Sequence, residues 1–437
     1  MKKILSVLLA AVLFVGCSVT SLAVVTSAPT PTDKATLLFS KQFGSNYKAS
    51  PTPPTVVGDT LLVVSGVKLY KLNAATGDEI GSVKTAGSTL YATVPPLFAD
   101  GQVFVALDDG MVQAFDYETL RSQWVYTNAS GGQALCPLRT DGERVYTGFW
   151  NGETQYADYV CIDKQSGSEK WTYSSLGGFY GAGCAVTDKY IAVGTDDGEK
   201  GEAGDSQILA LDKKTGDVVS VVAAKGDLRS SVTYSEETDA FYLSSKAGYI
   251  YQFTMDESGA LRITQVYTAH GAVTAAPVVY NGRLYAGCQS GAMGEFLVLN
   301  AHTMRPVYTC PMPGYPQAEM LLSTGFENGK VVVYTTYNAM PGGVMAFEDC
   351  AGQTAAQWST LFTPDEAAQQ YCISPIAVGE DGTLYYKNDS GMLFALKKTE
   401  KKKSFFEKLR DAIRRFFAKL AALFGIRTKG AANASGI

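Results

Sequence analysis

The chain has 437 residues, of which 46% are hydrophobic and 18% are charged, and its formal net charge is −5. This composition is that of a soluble globular protein with enough apolar residues to bury a large core. Only two His residues are present, His270 and His302, and they fall in different repeats, so no metal centre or catalytic triad built on His is predicted.

The first 23 residues are interpreted as an export signal. Two Lys residues precede about 13 apolar residues, a length typical of a signal peptide and too short for a membrane-spanning helix. Two cleavage patterns compete. The sequence VGC at 15–17 is similar to a bacterial lipobox, in which Cys17 becomes the lipid-anchored first residue. Small residues before Ala23 and before Ala28 allow ordinary cleavage instead, and residues 24–34 are expected to form a flexible linker.

A unit of about 40–50 residues recurs along most of the chain. Its clearest part is KLYKLNAATG at 68–77, a strand that ends at Asn73 and runs into a turn closed by Gly77. An Asn or Asp at this position bonds its own backbone two residues on, and Gly accepts a positive φ. Related stretches end at Thr119, Gly167, Gly216, Gly259, Thr303, Gly352 and Thr399. Eight copies with this spacing predict a propeller or a solenoid.

Each copy is preceded by two apolar strands with a turn between them, as in PVVYNGRLYAG at 277–287, and followed by a fourth strand, as in SQWVYT at 122–127. Four antiparallel strands in eight units predict an all-β fold, an eight-bladed β-propeller over residues 35–398. The last copy lacks a fourth strand, whereas Leu37–Phe43 stands alone before the first copy. We expect this N-terminal strand to complete the last blade and close the ring.

The remaining Cys and acidic residues give no clear site. Seven Cys residues besides Cys17 show no C-x-x-C pattern, and we expect mostly buried free thiols. The acidic loop DDGEKGEAGD at 196–205 is expected to be a solvated turn. Calcium binding there is an open alternative that no EF-hand spacing supports, and no metal site is predicted.

Aromatic residues concentrate in two loops that a propeller places on one face, because the connections after the second and fourth strands share a face. They are Phe149, Trp150, Tyr156, Phe179 and Tyr180. Beside the acidic loop, they suit a recognition surface for a protein or a glycan. The alternative is that they plug the mouth of the channel.

The tail at 399–437 is strongly basic, unlike the acidic chain before it. From Lys397 to the last residue the sequence has twelve basic and only three acidic residues. Ser404 and Glu407 form a capping box, and apolar residues at helical spacing predict an amphipathic helix over 404–424. Its apolar residues are Phe405, Leu409, Ile413, Phe416, Phe417, Leu420 and Phe424, and its basic residues are Arg410, Arg414, Arg415 and Lys419. We expect it to bind an anionic membrane surface or a partner groove, with docking on the propeller as the alternative.

The repeated strand, D/N-x-x-T-G turn and strand, with Trp in several fourth strands, resembles the PQQ-like repeat of the quinoprotein alcohol dehydrogenase-like propellers. The dehydrogenases of that group bind the quinone with a vicinal Cys pair, a stacking Trp and calcium-binding acids. This chain has no vicinal Cys pair, and its Trp residues fall in outer strands or a surface loop. They are Trp124, Trp150, Trp171 and Trp358. The chain therefore resembles the non-enzymatic branch, which includes the propeller lipoprotein that scaffolds outer-membrane protein assembly.

We expect an exported propeller that acts as a non-catalytic binding or scaffolding module for protein partners at the cell envelope. A glycan-binding module and a quinone- or metal-dependent oxidoreductase that uses the central channel are the alternatives. No cofactor, PQQ included, and no nucleic-acid partner are expected, and the chain is expected to be monomeric.

Overall fold

The computed structural model describes residues 24–44, 52–89, 94–201 and 203–399. The strands of these residues form eight sheets around a central channel, each with four antiparallel strands, and one of the eight sheets carries an additional parallel strand. The predicted eight-bladed β-propeller is confirmed. Residues 1–23 with Cys17, and the predicted tail helix at 404–424, lie outside the described residues.

Each blade is numbered in chain order, and its innermost strand comes first. Blades one to four are β3 (Thr55–Val57), β4 (Thr60–Ser65), β5 (Lys68–Asn73), β6 (Glu79–Lys84); β7 (Leu97–Ala99), β8 (Gln102–Leu107), β9 (Met111–Asp116), β10 (Ser122–Thr127); β11 (Arg139–Thr140), β12 (Arg144–Gly148), β13 (Tyr156–Asp163), β14 (Glu169–Leu176); and β15 (Ala185–Val186), β16 (Tyr190–Gly194), β17 (Asp205–Asp212), β18 (Val218–Lys225).

Blades five to eight follow the same order, except that the outer strand of blade eight comes from the N-terminal end of the propeller. They are β19 (Thr233–Ser235), β20 (Ala240–Ser244), β21 (Tyr249–Met255), β22 (Leu261–Thr268); β23 (Val278–Tyr280), β24 (Arg283–Ser290), β25 (Met293–Asn300), β26 (Pro306–Met312); β27 (Leu321–Ser323), β28 (Val331–Thr336), β29 (Val344–Asp349), β30 (Gln357–Phe362); and β31 (Ala377–Val378), β32 (Leu384–Lys387), β33 (Met392–Lys398), β2 (Ala35–Gln42).

The core lies between neighbouring blades. Second strands such as β4 (TLLVVS) are buried on both faces, because each blade is covered by a neighbour on either side. Outer strands such as β6 (EIGSVK) alternate between exposed and half-buried residues, because only one of their faces meets the adjacent blade. A short 3-10 helix, Glu366–Ala368, lies in the connection into blade eight.

The repeated turn has the predicted geometry. Asn73 Oδ1 accepts hydrogen bonds from the backbone N–H of Ala75 at 2.9 Å and of Thr76 at 3.1 Å, and Gly77 has a φ of +70°. Asp163 and Asp212 cap the same turn of blades three and four by accepting a bond from the N–H two residues on. The local sequence therefore fixes this turn in several blades.

The ring closes where it was predicted to close. The strand β2 pairs antiparallel with β33, from Ala35 opposite Lys398 to Gln42 opposite Met392. Its Phe39 ring packs against Gly77 of blade one, where a Cβ atom would stand 2.6 Å from the ring. The N-terminal strand thus completes blade eight and also supplies part of its contact with blade one.

The segment expected to be a flexible linker differs from that expectation. Its first residues form β1 (Val24–Thr26), which pairs in parallel with β27 on the inner edge of blade seven. The chain then runs outward between blades seven and eight, where the buried Thr30 hydroxyl and Tyr334 Oη lie 2.6 Å apart. The residue types suggested a linker, but the backbone groups of β1 pair with the open edge of β27 in blade seven.

The seven Cys residues of the described chain are free thiols, and only Cys350 is partly exposed. Among the described residues, no helix is both long and apolar enough to cross a membrane.

Candidate functional site

Two kinds of connection share one face of the ring, which we call the upper face. They join the second strand of a blade to its third, and the fourth strand to the next blade, because strand direction alternates within a blade. Residues 149–155 between β12 and β13 and residues 177–184 between β14 and β15 belong to this face. The predicted aromatic residues fall within or beside these two connections.

The upper mouth of the channel forms a cavity of about 510 Å³, which we call the upper cavity. The wall from blades eight and one to three is largely apolar and rich in proline: Pro53, Pro54, Pro95, Pro137 and Pro375. The wall from blades four to seven carries polar groups: Tyr180, Arg229, Ser231, Lys246 and Glu319. A cavity with one apolar and one polar wall fits a ligand or chain segment of the same two-sided character.

Arg229 organises the rim of this cavity. Its guanidinium lies over the Tyr180 ring at 4.6 Å and over the Trp150 ring at 5.9 Å from the ring centres. The two rings meet edge to face, with centres 5.5 Å apart and planes at 85°. Cation–π and edge-to-face contacts of this kind fix the rings in one arrangement.

Two carboxylates in turn fix Arg229. Its Nη2 lies 2.8 Å from Asp196 Oδ2 and 2.7 Å from Asp227 Oδ2, and its Nε donates to Asp196 Oδ2 at 3.0 Å. Burial raises the pKa of the Asp196 carboxyl above its usual value, and the charge of Arg229 opposes that rise. The rim is therefore a preorganised cluster of aromatic and charged groups.

The structure differs from the sequence-based surface at Phe149 and Phe179, because both side chains are completely buried. Phe149 belongs to the core between blades two and three, and Phe179 to the core between blades three and four, where it meets Tyr159 edge to face at 5.0 Å. Both are core residues, since the neighbouring blade covers the start of each connection.

The other three aromatic residues reach the surface. Tyr156 is 65% exposed at the start of β13, and Trp150 and Tyr180 are half-buried on the rim. The structure thus brings Trp150 and Tyr180 together and leaves Tyr156 apart from their ring contact. Phe149 and Phe179 fit neither a recognition surface nor a plug at the channel mouth, since both lie in cores between blades.

The acidic loop at 196–205 begins with two buried residues, Asp196 and Asp197, whereas Glu199, Lys200, Gly201 and Asp205 are exposed, as expected of a solvated turn. Sequence reasoning also missed Arg229, Ser231 and Glu319. All three lie just before an innermost strand, where side chains reach the channel. Charged residues at that position of the repeat were therefore the signal that could have identified the channel lining.

A constellation on blade six contains Cys288, Glu295 and His270. Glu295 Oε2 lies 2.8 Å from His270 Nδ1 and 3.8 Å from Cys288 Sγ. Burial raises the pKa of the Cys288 thiol to about 11, so the thiol stays protonated at neutral pH. Glu295 thus contacts both groups, and no hydrogen bond joins the thiol to the imidazole among the described residues.

The channel does not fit a quinone cofactor of the kind bound by the quinoprotein dehydrogenases. No vicinal Cys pair exists in the chain. Trp124, Trp171 and Trp358 lie in outer strands, and the Trp150 ring is engaged by Arg229 and Tyr180. In the part of the chain that the structure describes, no three His, Cys, Asp or Glu side chains are grouped so that they could hold a metal ion.

Solved structures with the same fold include an outer membrane protein assembly factor, an enzyme and a designed protein. BamB from Moraxella catarrhalis is 16% identical with a TM-score of 0.58, over 83% of this chain and 99% of that chain. Quinohemoprotein alcohol dehydrogenase from Comamonas testosteroni is 12% identical with a TM-score of 0.60, over 87% and 80%. The computationally designed Ika8 protein is 13% identical with a TM-score of 0.59, over 82% and 100%. At these identities the likeness concerns the fold alone.

Comparison of the sequence with known proteins and protein families gives a more specific result. No curated protein is significantly similar to the chain in sequence. The family model described as outer membrane protein assembly factor BamB matches residues 33–158 and 139–358, which is well over half of the chain. The chain therefore belongs to the family of the outer membrane protein assembly factor BamB.

Proposed function

We propose that the protein is an exported, non-catalytic propeller that binds protein partners through its upper face and so acts as a scaffold at the cell envelope. The observation that carries this proposal is the rim formed by Trp150, Tyr180 and Arg229, which is held in place before any partner arrives. Rigid aromatic and Arg side chains are the groups that dominate the energy of protein interfaces. The family description, which names outer membrane protein assembly, agrees with a scaffold role.

The two alternatives have less support. A glycan site needs an open aromatic face on which a sugar can stack, whereas the Arg229 guanidinium already lies over the rings of Tyr180 and Trp150. An oxidoreductase needs residues that hold a quinone or a metal, and the channel residues do not fit the quinone. The rim suits a polypeptide, which can contact ring edges and the guanidinium together.

A crosslinking experiment tests the partner surface. A photoreactive residue at Tyr156, which is 65% exposed, is expected to crosslink to a defined envelope protein in cells. Tyr180→Ala should lower the yield about tenfold or more, because it removes an interface anchor and loosens Arg229.

The matched control is Trp358→Ala, since Trp358 is also an exposed aromatic residue, at 52%, but lies on the outer strand of blade seven. Its crosslinking yield should equal that of the unchanged protein. An equal loss in both variants, or no defined crosslinked protein at all, would contradict the proposal.

Export is proposed from residues 1–23, and the mature N-terminus tests it. The strand β1 supports processing that leaves Val24 in place, since cleavage after Ala28 would remove the whole strand. Intact mass measurement should give a chain that begins at a lipidated Cys17 or at Val24. An unprocessed chain in the cytoplasm would refute export, and a chain that begins after Ala28 would refute a role for β1.

The basic tail is proposed to bind an anionic membrane surface through the helix predicted at 404–424. Each basic residue near such a surface adds about 1 kcal/mol, and salt weakens the attraction. The full chain without lipid on Cys17 should float with liposomes that contain anionic lipid and not with neutral ones. A chain truncated after Glu400 should not float with the liposomes. Equal flotation of the full and the truncated chain would refute membrane binding through the tail.

A further inference from the structure

The outer strand of blade four, β18, is an apolar edge strand that carries no device against pairing with another chain. Its eight residues, VVSVVAAK, include neither Pro nor Gly, and the first charged residue is Lys225 at its end. Val218, Val219 and Val221 are 43%, 41% and 45% exposed. Long, uncharged and apolar edge strands are the ones that pair with strands of other chains.

The outer strands of the other blades differ from β18 in this respect. The strand β26 contains two Pro residues, and β2, β6, β14 and β22 each carry a charged residue before their last position. The strands β10 and β30 are uncharged but have only six residues. Since Pro residues, charges and short length all protect edges, blade four has the least protected outer edge of the ring.

The backbone of β18 directs alternate peptide groups away from its own blade. Gly226 N–H donates to Gly204 O at 2.8 Å, so these two residues form a hydrogen-bonded pair just beyond the paired strands β17 and β18. Bonded and non-bonded pairs alternate along an antiparallel pair of strands. Val221 and Ala223 are therefore in non-bonded pairs, and their N–H and C=O groups point outward from the edge of the sheet.

The open part of this edge is short. The N–H of Lys225 also points away from β17, and it donates to Tyr251 Oη at 2.8 Å. This bond agrees with the alternation and ends the open edge at Ala223. At the other end, a bulge opposite Leu211 interrupts the regular pairing near Val219. An added strand would thus pair with the stretch from Val219 to Ala223.

The charges at the two ends of β18 are opposite, which favours a second copy of the same strand as the occupant. Asp217 directly precedes the strand, and Lys225 is its last residue. In an antiparallel pair of two copies, the Asp217 end of each strand lies near the Lys225 end of the other. Lys225 Nζ lies 2.6 Å from the exposed Asp205, and its ammonium has further donors for a second carboxylate. Between these ends only Val, Ala and Ser side chains meet, so the strand is complementary to itself.

We propose that the outer edge of blade four is a self-association surface, at which the β18 strands of two copies pair antiparallel around a two-fold axis. The pairing joins two blades into one continuous sheet. The surface is separate from the rim on the upper face, so the proposal goes beyond the proposed function, and it departs from the expected monomer. The open edge is too short for a standard interface of about 1,600 Å², so the dimer is weak and depends on concentration.

Sedimentation of the full chain without lipid on Cys17 tests the proposal, and it should show a monomer that converts to a dimer as the concentration rises. Val221→Lys should raise the dissociation constant at least about tenfold, because the two-fold axis brings the two new charges together. The matched control is Val266→Lys, since Val266 is 47% exposed on β22, the outer strand of blade five. It should leave the dissociation constant unchanged.

Hydrogen exchange of the unchanged chain tests the edge itself, and it decides even if Val221→Lys fails to fold. The amides of Val221 and Ala223 should exchange more slowly at concentrations where the dimer forms than in dilute solution. A chain that stays monomeric at every concentration overturns the proposal, and so does an equal dissociation constant in the two Lys variants. A photoreactive residue at Val221 that crosslinks in cells to a different protein, and not to a second copy, would show that the occupant is a partner strand and would also overturn it.

Discussion

The contact between Trp124 and Gly167 joins blade two to blade three and allows a quantitative test. The Trp124 ring covers Gly167, where a Cβ atom would stand 2.6 Å from ring carbon Cδ2, and the indole N–H donates to Lys164 O at 3.0 Å. Trp171 and Gly216 repeat this contact between blades three and four. The glycine in each turn thus leaves the space that the Trp ring of the preceding blade occupies.

Gly167→Ala introduces two separate penalties. Gly167 has a φ of +71°, and Ala in this left-handed region costs about 1–2 kcal/mol. Displacement of the rigid indole by the new methyl group adds about 1–3 kcal/mol. The variant should therefore lose about 2–5 kcal/mol of unfolding free energy.

Gly352→Ala is the control, because Gly352 lies in the corresponding connection between the third and fourth strands of blade seven, has a φ of +85° and has no atom within 4 Å of the added Cβ. It should lose only the backbone part, about 1–2 kcal/mol. Urea unfolding followed by Trp fluorescence measures both variants against the unchanged chain. Equal losses in the two variants would show that the ring contact does not hold the blades in register.

Three further results are expected. Asp349→Asn should cost about 3–5 kcal/mol in urea unfolding, because Asp349 accepts two bonds from the buried Arg283 and the variant leaves that charge uncompensated; a loss below 1 kcal/mol would contradict this. Lys387→Met should raise the unfolding free energy at pH 7 by up to about 4 kcal/mol, because burial lowers the pKa of Lys387 from 10.5 to about 7. In the unchanged chain, the unfolded state binds more protons than the folded state between pH 7 and 10.5. The unfolding free energy should therefore rise with pH over this range, and it should not rise in the Lys387→Met variant. A chain that begins after Ala28 should exchange the backbone amides of β27 faster than one that begins after Ala23, because only the shorter chain lacks β1; equal exchange would show that β1 does not protect this edge.

The architecture could be predicted from the sequence because its signals are local and repeated. The turn at Asn73 and Gly77 depends on residues within five positions of one another, and several blades repeat it. Ring closure by β2 followed from counting strands, since one strand was spare at one end and one was missing at the other. Neither inference required knowledge of which side chains meet across blades.

The candidate site could be predicted only in part, since its contacts join distant parts of the chain. The loops that carry Trp150 and Tyr180 were identifiable from composition, but the burial of Phe149 depends on how the preceding blade covers it. Arg229 comes from the connection into blade five, and Glu319, on the same polar wall of the upper cavity, comes from the connection into blade seven. No spacing in the sequence reveals such pairs, because the ring brings them together only after all blades have packed.

The pairing of β2 with β33 has a consequence for how the chain is made. The first propeller strand leaves the ribosome early, but its partner Met392–Lys398 is among the last parts of the propeller to be synthesised. At about 5–20 residues per second, β2 and the segment before it wait for roughly 20–70 s without their native neighbours. Until then the flanks of blades one and seven have no blade eight between them. A protein built in this way needs its early strands shielded during synthesis, so holding chaperones should matter more for its yield than for its stability once the ring is closed.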